Sequence, residues 1–133
     1  MANAHYPLWK QNVMQFTANN NLSAGTVRAA LVDTGVYAYS AAHQFLSSLT
    51  GVIGTAQTLA SKTFVNGAFD AADISYTAVS GASAEAIVIY IDTGVAGTSP
   101  LVAFIDTGIT GLPVTPNSGD INIVWEATGI FLL

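Results

Sequence analysis

The chain has 133 residues, no cysteine and only 11 charged side chains, 3 Lys+Arg against 8 Asp+Glu, for a net charge of −5. That length suits one domain with a real core, and 51 % hydrophobic residues exclude a disordered chain. The composition also excludes disulfides, thiolate metal sites and cysteine nucleophiles, and Lys10, Arg28 and Lys62 are too few to neutralise nucleic-acid phosphates.

Residues 1–7 carry no basic stretch followed by an apolar one, so no signal peptide is expected. The longest apolar runs, at residues 86–91 and 101–105, fall far short of the roughly 20 residues of a spanning helix. No basic amphipathic stretch points to a membrane surface. The mean hydropathy of +0.49 therefore comes from many short pieces, as in a β-rich fold.

In chain order, Leu8, Trp9, Val13 and Phe16 form an apolar stripe that predicts a helix over residues 6–17, with Pro7 in its first turn and Asn19-Asn20-Asn21 as its stop. Residues 27–32 read as a strand. Residues 41–49 read as a short helix capped by Ser40, with Phe45, Leu46 and Leu49 inward. Residues 51–54 (Gly-Val-Ile-Gly) read as a breaker. A strand at 58–65 then leads into Asn66-Gly67, a strong hairpin signal. Ile74, Tyr76 and Ala78 alternate with Ser75, Thr77 and Val79. Residues 84–91 and 101–105 are nearly continuous apolar strands, fit for burial on both faces or in a subunit contact. Ile121, Ile123 and Trp125 alternate again, and residues 130–133 make a last short strand after the Thr128-Gly129 turn. About seven strands without crossover helices predict an all-β, antiparallel β-sandwich, Greek-key or jelly-roll-like, with a short N-terminal helix or arm. The expected division is residues 1–24 as helix or arm and 25–133 as sandwich.

Asp-Thr-Gly follows an apolar pair three times, at Asp33, Asp92 and Asp106. Aspartic proteases use such a triplet, with two aspartates sharing one proton. Here the last two lie 14 residues apart (106 − 92), at the ends of successive strands. If those strands form a hairpin, the two carboxylates are about 17–20 Å apart, too far for a shared proton. The expected role is a strand exit: Asp caps the turn, Thr extends it, and Gly takes a positive φ. Asp70 and Asp73 are expected to cap the strand at Ile74. A calcium loop would need acidic residues at alternate positions.

His5 and His43 are the only histidines, and the nearest approach to a nucleophile elbow, Gly81-Ala82-Ser83-Ala84-Glu85, lacks its closing Gly. His5 is expected in a docking or flexible arm and His43 as a surface or half-buried structural residue. Two histidines and no cysteine make a zinc site improbable. The reading is therefore no enzyme, no catalytic residue, no cofactor and no metal ligand. Among the aromatic residues, Tyr37 and Tyr39 are the candidates for exposed contact positions.

A weakly charged, neutral-to-apolar exterior predicts a homo-oligomer that hides part of its surface. The sequence resembles a group of small tailed-bacteriophage virion proteins. The likeness lies in residues 1–10 (Met-Ala-Asn-Ala-His-Tyr-Pro-Leu-Trp-Lys), 27–46, 85–94 (Glu-Ala-Ile-Val-Ile-Tyr-Ile-Asp-Thr-Gly) and 111–121 (Gly-Leu-Pro-Val-Thr-Pro-Asn-Ser-Gly-Asp-Ile). It implies a virion structural component made in the bacterial host cytoplasm, of capsid decoration or cement type. Its partners would be the major capsid protein or other virion proteins, with a homotrimer favoured by capsid symmetry. The alternatives are a tail, baseplate or head-fibre component, or a host-glycan-binding β-sandwich. The resemblance carries over no site residues.

Overall fold

A computed structural model describes residues 3–133. The elements in chain order are β1 (Ala4–His5), α1 (Pro7–Met14), β2 (Thr26–Val32), β3 (Val52–Thr58), β4 (Thr63–Val65) and β5 (Ala68–Asp70). There follow β6 (Ile74–Tyr76), β7 (Ala86–Asp92), β8 (Leu101–Ile105), β9 (Ile121–Ile123) and β10 (Phe131–Leu132). They form a five-stranded sheet in the order β1-β8-β7-β2-β3, a three-stranded sheet β10-β5-β4 and a pair β6-β9, with every pairing antiparallel. The protein is thus all-β and sandwich-like with a short N-terminal helix, as the alternating apolar pattern predicts. No helix among the described residues is long and apolar enough to cross a membrane.

The centre of the large sheet is dry on both faces. All of β8 and every residue of β7 except Asp92 are buried. Directly paired residues point to the same side, so the register His5–Ala103–Ile89–Ala29 defines one face and Ala4–Phe104–Val88–Ala30 the other. On the first face Phe64, Phe69, Phe131, His5 and Trp9 form a chain of ring contacts, with His5 edge-on to Phe131 at 4.6 Å. Tyr76 is anchored to β2, its hydroxyl donating to the Ala29 carbonyl at 2.7 Å. On the second face the loop after β2 lays Tyr37 and Tyr39 against Phe104. Each fully buried aliphatic side chain contributes about 1.5–3 kcal/mol, which makes β7 and β8 the principal source of stability. The apolar runs are therefore consumed inside one chain. The total accessible surface of 6534 Å² matches the roughly 6,600 Å² of a compact monomer of 13.7 kDa.

The N-terminal segment belongs to this architecture. β1 closes the β8 edge, and the Tyr6 N–H donates to the Val102 carbonyl. Several local expectations are corrected. The helix stops at Met14 rather than residue 17: Phe16 and Asn19 adopt left-handed backbone, φ 57° and 66°, and Asn20 ties the turn by donating to Thr17 and Ala18. Trp9 is buried, but Phe16, expected on the same inward stripe, is 95 % exposed. Residues 41–49 make no α-helix. The Leu46 N–H goes to the Ser99 carbonyl and the Leu101 N–H to the Gln44 carbonyl, so this stretch pairs with the approach to β8 and keeps only a 3₁₀ turn at Leu46–Ser48. The Gly51–Gly54 stretch is not a breaker but the start of β3, where Gly51 and Gly54 at positive φ accommodate the entry turn and an irregular register with β2. The strand expected at 58–65 is interrupted by a turn at Ser61, φ 55°, and only β4 remains of its second half. The Asn66-Gly67 hairpin forms as expected, with Val65 opposite Ala68 and both turn residues at positive φ.

Lys62, in that interruption, donates to the carbonyls of Leu22 and Gly25 at 2.7 Å each. Charged hydrogen bonds contribute about 1.5–3 kcal/mol, so Lys62→Met is expected to lower unfolding free energy by about that much, measured as a reduced urea midpoint at unchanged slope.

Candidate functional site

The three Asp-Thr-Gly turns separate into two groups. Asp33 follows β2 and Asp106 follows β8, at one end of the large sheet, while Asp92 ends β7 at the other. Asp92 and Asp106 thus lie at opposite ends of the β7–β8 pair, as expected. Asp33 and Asp106 flank β7 from both sides. Two strand spacings, about 10 Å, part their backbones, and the Asp33 carboxylate is engaged by the Gly35 N–H of its own turn.

The turn chemistry follows expectation for two of the three. Asp33 Oδ1 accepts the Gly35 N–H and Asp92 Oδ1 the Gly94 N–H, each at 2.8 Å. Asp92 also pairs with Arg28 at 3.2 Å. The third turn is capped from elsewhere: Asn3 Oδ1 accepts the N–H groups of Asp106 and Thr107. Gly94 and Gly108 take positive φ, but Gly35 does not, because its turn closes through the Tyr37 N–H onto the Asp33 carbonyl. Asp70 and Asp73 do not cap β6 as a pair. Asp70 accepts from Ala71, whereas Asp73 reaches across to the Trp125 N–H.

At the Asp33–Asp106 end lies a cleft of about 500 Å³, lined by Thr34, Tyr39, Glu85, Phe104, Asp106 and Pro113 among others. Glu85 accepts from both the backbone N–H and the hydroxyl of Thr34, which anchors its carboxylate at the rim. Two carboxylates beside a half-buried tyrosine can accept hydroxyl or cationic donors. Among the described residues no three His, Asp or Glu side chains gather as metal ligands would.

Tyr37 and Tyr39 are not the open contact residues expected. Tyr37 is 2 % exposed, and its hydroxyl links the Tyr6 hydroxyl (2.7 Å) to His43 Nδ1 (2.8 Å). Tyr39 is half-buried and donates to the His5 carbonyl at 2.9 Å. His5 is not in a free arm: it packs between Trp9 and Phe131, and burial, with Lys10 nearby, lowers its pKa. His43 is half-buried and structural, as expected. The hydroxyl network could not be read from sequence, because its members are 31 and 6 residues apart with no periodic relation.

Exposed hydrophobic side chains gather at the end of α1 and on the small sheet. Phe16, Phe64, Val65, Leu132 and Leu133 are all solvent-exposed. Beside them a groove of about 450 Å³ runs between α1 and the small sheet, and no charged side chain lines it. No family model matches the chain, and no curated protein matches it.

Burial raises the pKa of all five tyrosines, that of Tyr6 most and Tyr76 next. In the unfolded chain each ionises near pH 10. Above that pH the unfolded state holds fewer protons than the folded one, so stability present below pH 10 is lost as pH rises. Phenolate absorbance is expected to appear in step with the loss of circular dichroism. Titration of several tyrosines at their ordinary pKa in a still-folded chain would contradict this.

Proposed function

We propose that this chain is a non-enzymatic structural component of a tailed-bacteriophage virion, a capsid decoration or cement protein that stabilises the head by bridging capsid subunits. The observation that carries the reading is the surface. Ten large hydrophobic side chains are exposed among the described residues, including Val36, Val52, Val95 and Val124 outside the small sheet. One ion pair, Arg28–Asp92, joins two described residues. Such a surface is adhesive through shape and apolar contact rather than through charge. The sequence resemblance supplies the setting, with the major capsid protein or another virion protein as partner and the capsid surface as location. A rigid all-β body with its N-terminal segment strapped into the sheet suits a load-bearing clamp.

A second reading, host-glycan binding, draws on the cleft where Tyr39 meets Glu85 and Asp106, since a tyrosine face beside carboxylates can stack on a sugar and accept from its hydroxyls. A tail, baseplate or head-fibre position draws on the same neutral surface as the capsid reading.

Particles produced without this chain should assemble but rupture at lower temperature than complete ones. The purified chain should rebind them and restore that temperature. Because the contact surface lacks charge, rebinding should change little between low and high salt. Absence of the chain from purified heads would overturn the decoration reading, and finding it only in tails would replace it with the tail reading. Selective glycan-array binding lost in Tyr39→Ala would favour the host-attachment reading.

A further inference from the structure

The small sheet ends at β4, and the ladder shows what that edge offers. The Phe69 carbonyl accepts the Ile130 N–H at 2.7 Å, so the backbone groups of Phe69 face β10. Hydrogen-bonded and non-bonded pairs alternate in an antiparallel ladder. Phe64, opposite Phe69, therefore turns its own N–H and C=O away from β5, toward the free side. The two-residue Asn66-Gly67 turn demands the same phase, because it places the bonded pair at Val65 and Ala68.

Natural edges are usually guarded by charge. This one is not: Thr63, Phe64 and Val65 are uncharged and all exposed. Lys62, next in sequence, has its ammonium held by the Leu22 and Gly25 carbonyls. Beside the edge lies the groove without charged side chains, whose lining includes Trp9, Phe16, Asn20, Phe64 and Leu133. Phe16 stands 95 % exposed on a left-handed backbone. Two buried polar atoms of residues lining the groove, Trp9 Nε1 and Asn20 Oδ1, have no hydrogen-bond partner. The Asn20 amide nitrogen is already committed to Thr17 and Ala18, which fixes its oxygen as the unpaired group.

We propose that this corner is a two-fold interface between two copies of the chain, in which β4 pairs antiparallel with its counterpart about an axis at Phe64. A strand edge with the axis at its middle residue is its own complement: Phe64 of each copy exchanges both backbone hydrogen bonds with the other, and the two small sheets become one of six strands. Charge selects the same face. Two copies of net charge −5 repel, and they approach at least cost where the lining side chains carry no charge. The area is adequate. Phe16, Phe64, Val65 and Leu133, on the edge or beside the groove, present on the order of 400 Å² of apolar surface, taking about 150–250 Å² for a whole aromatic side chain. A standard interface takes about 800 Å² from each partner, the remainder from its polar rim. The contact is two-fold, unlike the homotrimer expected from capsid symmetry, and it stands apart from the virion reading.

Sedimentation equilibrium of the full chain tests it. A dimer is expected at about 100 µM, where even a Kd in the tens of micromolar is visible. Phe16→Glu and Val65→Glu change exposed side chains, so circular dichroism should stay native while each weakens the dimer at least about tenfold by placing charge in a desolvated contact. Val95→Glu, on a loop elsewhere, should leave the dimer intact. A monomer at that concentration, a trimer, or a dimer that neither Phe16→Glu nor Val65→Glu affects would overturn the proposal. None of these outcomes bears on whether heads contain the chain.

Discussion

Desolvation of both faces of β7 and β8 is the constraint from which the rest of the structure follows. A strand that is apolar on both sides must be covered twice, and this chain has no long helices to do it. One cover is the aromatic chain from Phe64 through Phe69, Phe131 and His5 to Trp9, which draws both ends of the chain onto one face. The other is the long loop after β2, whose Tyr37 and Tyr39 lie over Phe104. A loop that serves as a core layer must satisfy its polar groups internally, which is why the tyrosine hydroxyls are bonded to one another, to His43 and to the His5 carbonyl.

The same constraint explains the Asp-Thr-Gly turns. Every strand leaving a dry sheet must turn sharply with its backbone donors satisfied, and an aspartate two residues before a glycine does so locally. Asp33 and Asp92 act in this way, and at Asp106 the side chain of Asn3 takes over because β1 lies alongside. Recurrence of the triplet reflects recurrence of a structural problem, with each solution placed by strand order rather than by a shared site.

Burial of the apolar strands within one chain also relocates the question of assembly. Composition alone leaves residues 84–91 and 101–105 open to a two-sided core position or a subunit contact, and they are the least accessible part of the molecule. What remains outside is a different set of hydrophobic side chains, chiefly where α1 ends early and where β4 has no neighbour. The early end of α1 turns Phe16 from a core residue into a surface one, so a local backbone event decides the character of that corner.

The pattern of residue types by itself determined the all-β class, the N-terminal helix, the buried central strands, the Asn66-Gly67 hairpin and the capping role of Asp33 and Asp92. These depend on side-chain alternation and on turn chemistry within a few residues. Only the tertiary structure decided that Tyr37 and His5 are interior, that residues 41–49 pair with the approach to β8 instead of forming a helix, that Asp73 serves Trp125, and that the open edge is β4. Each of these is set by a partner tens of residues away, and no local periodicity encodes which distant backbone or ring will be there to meet it.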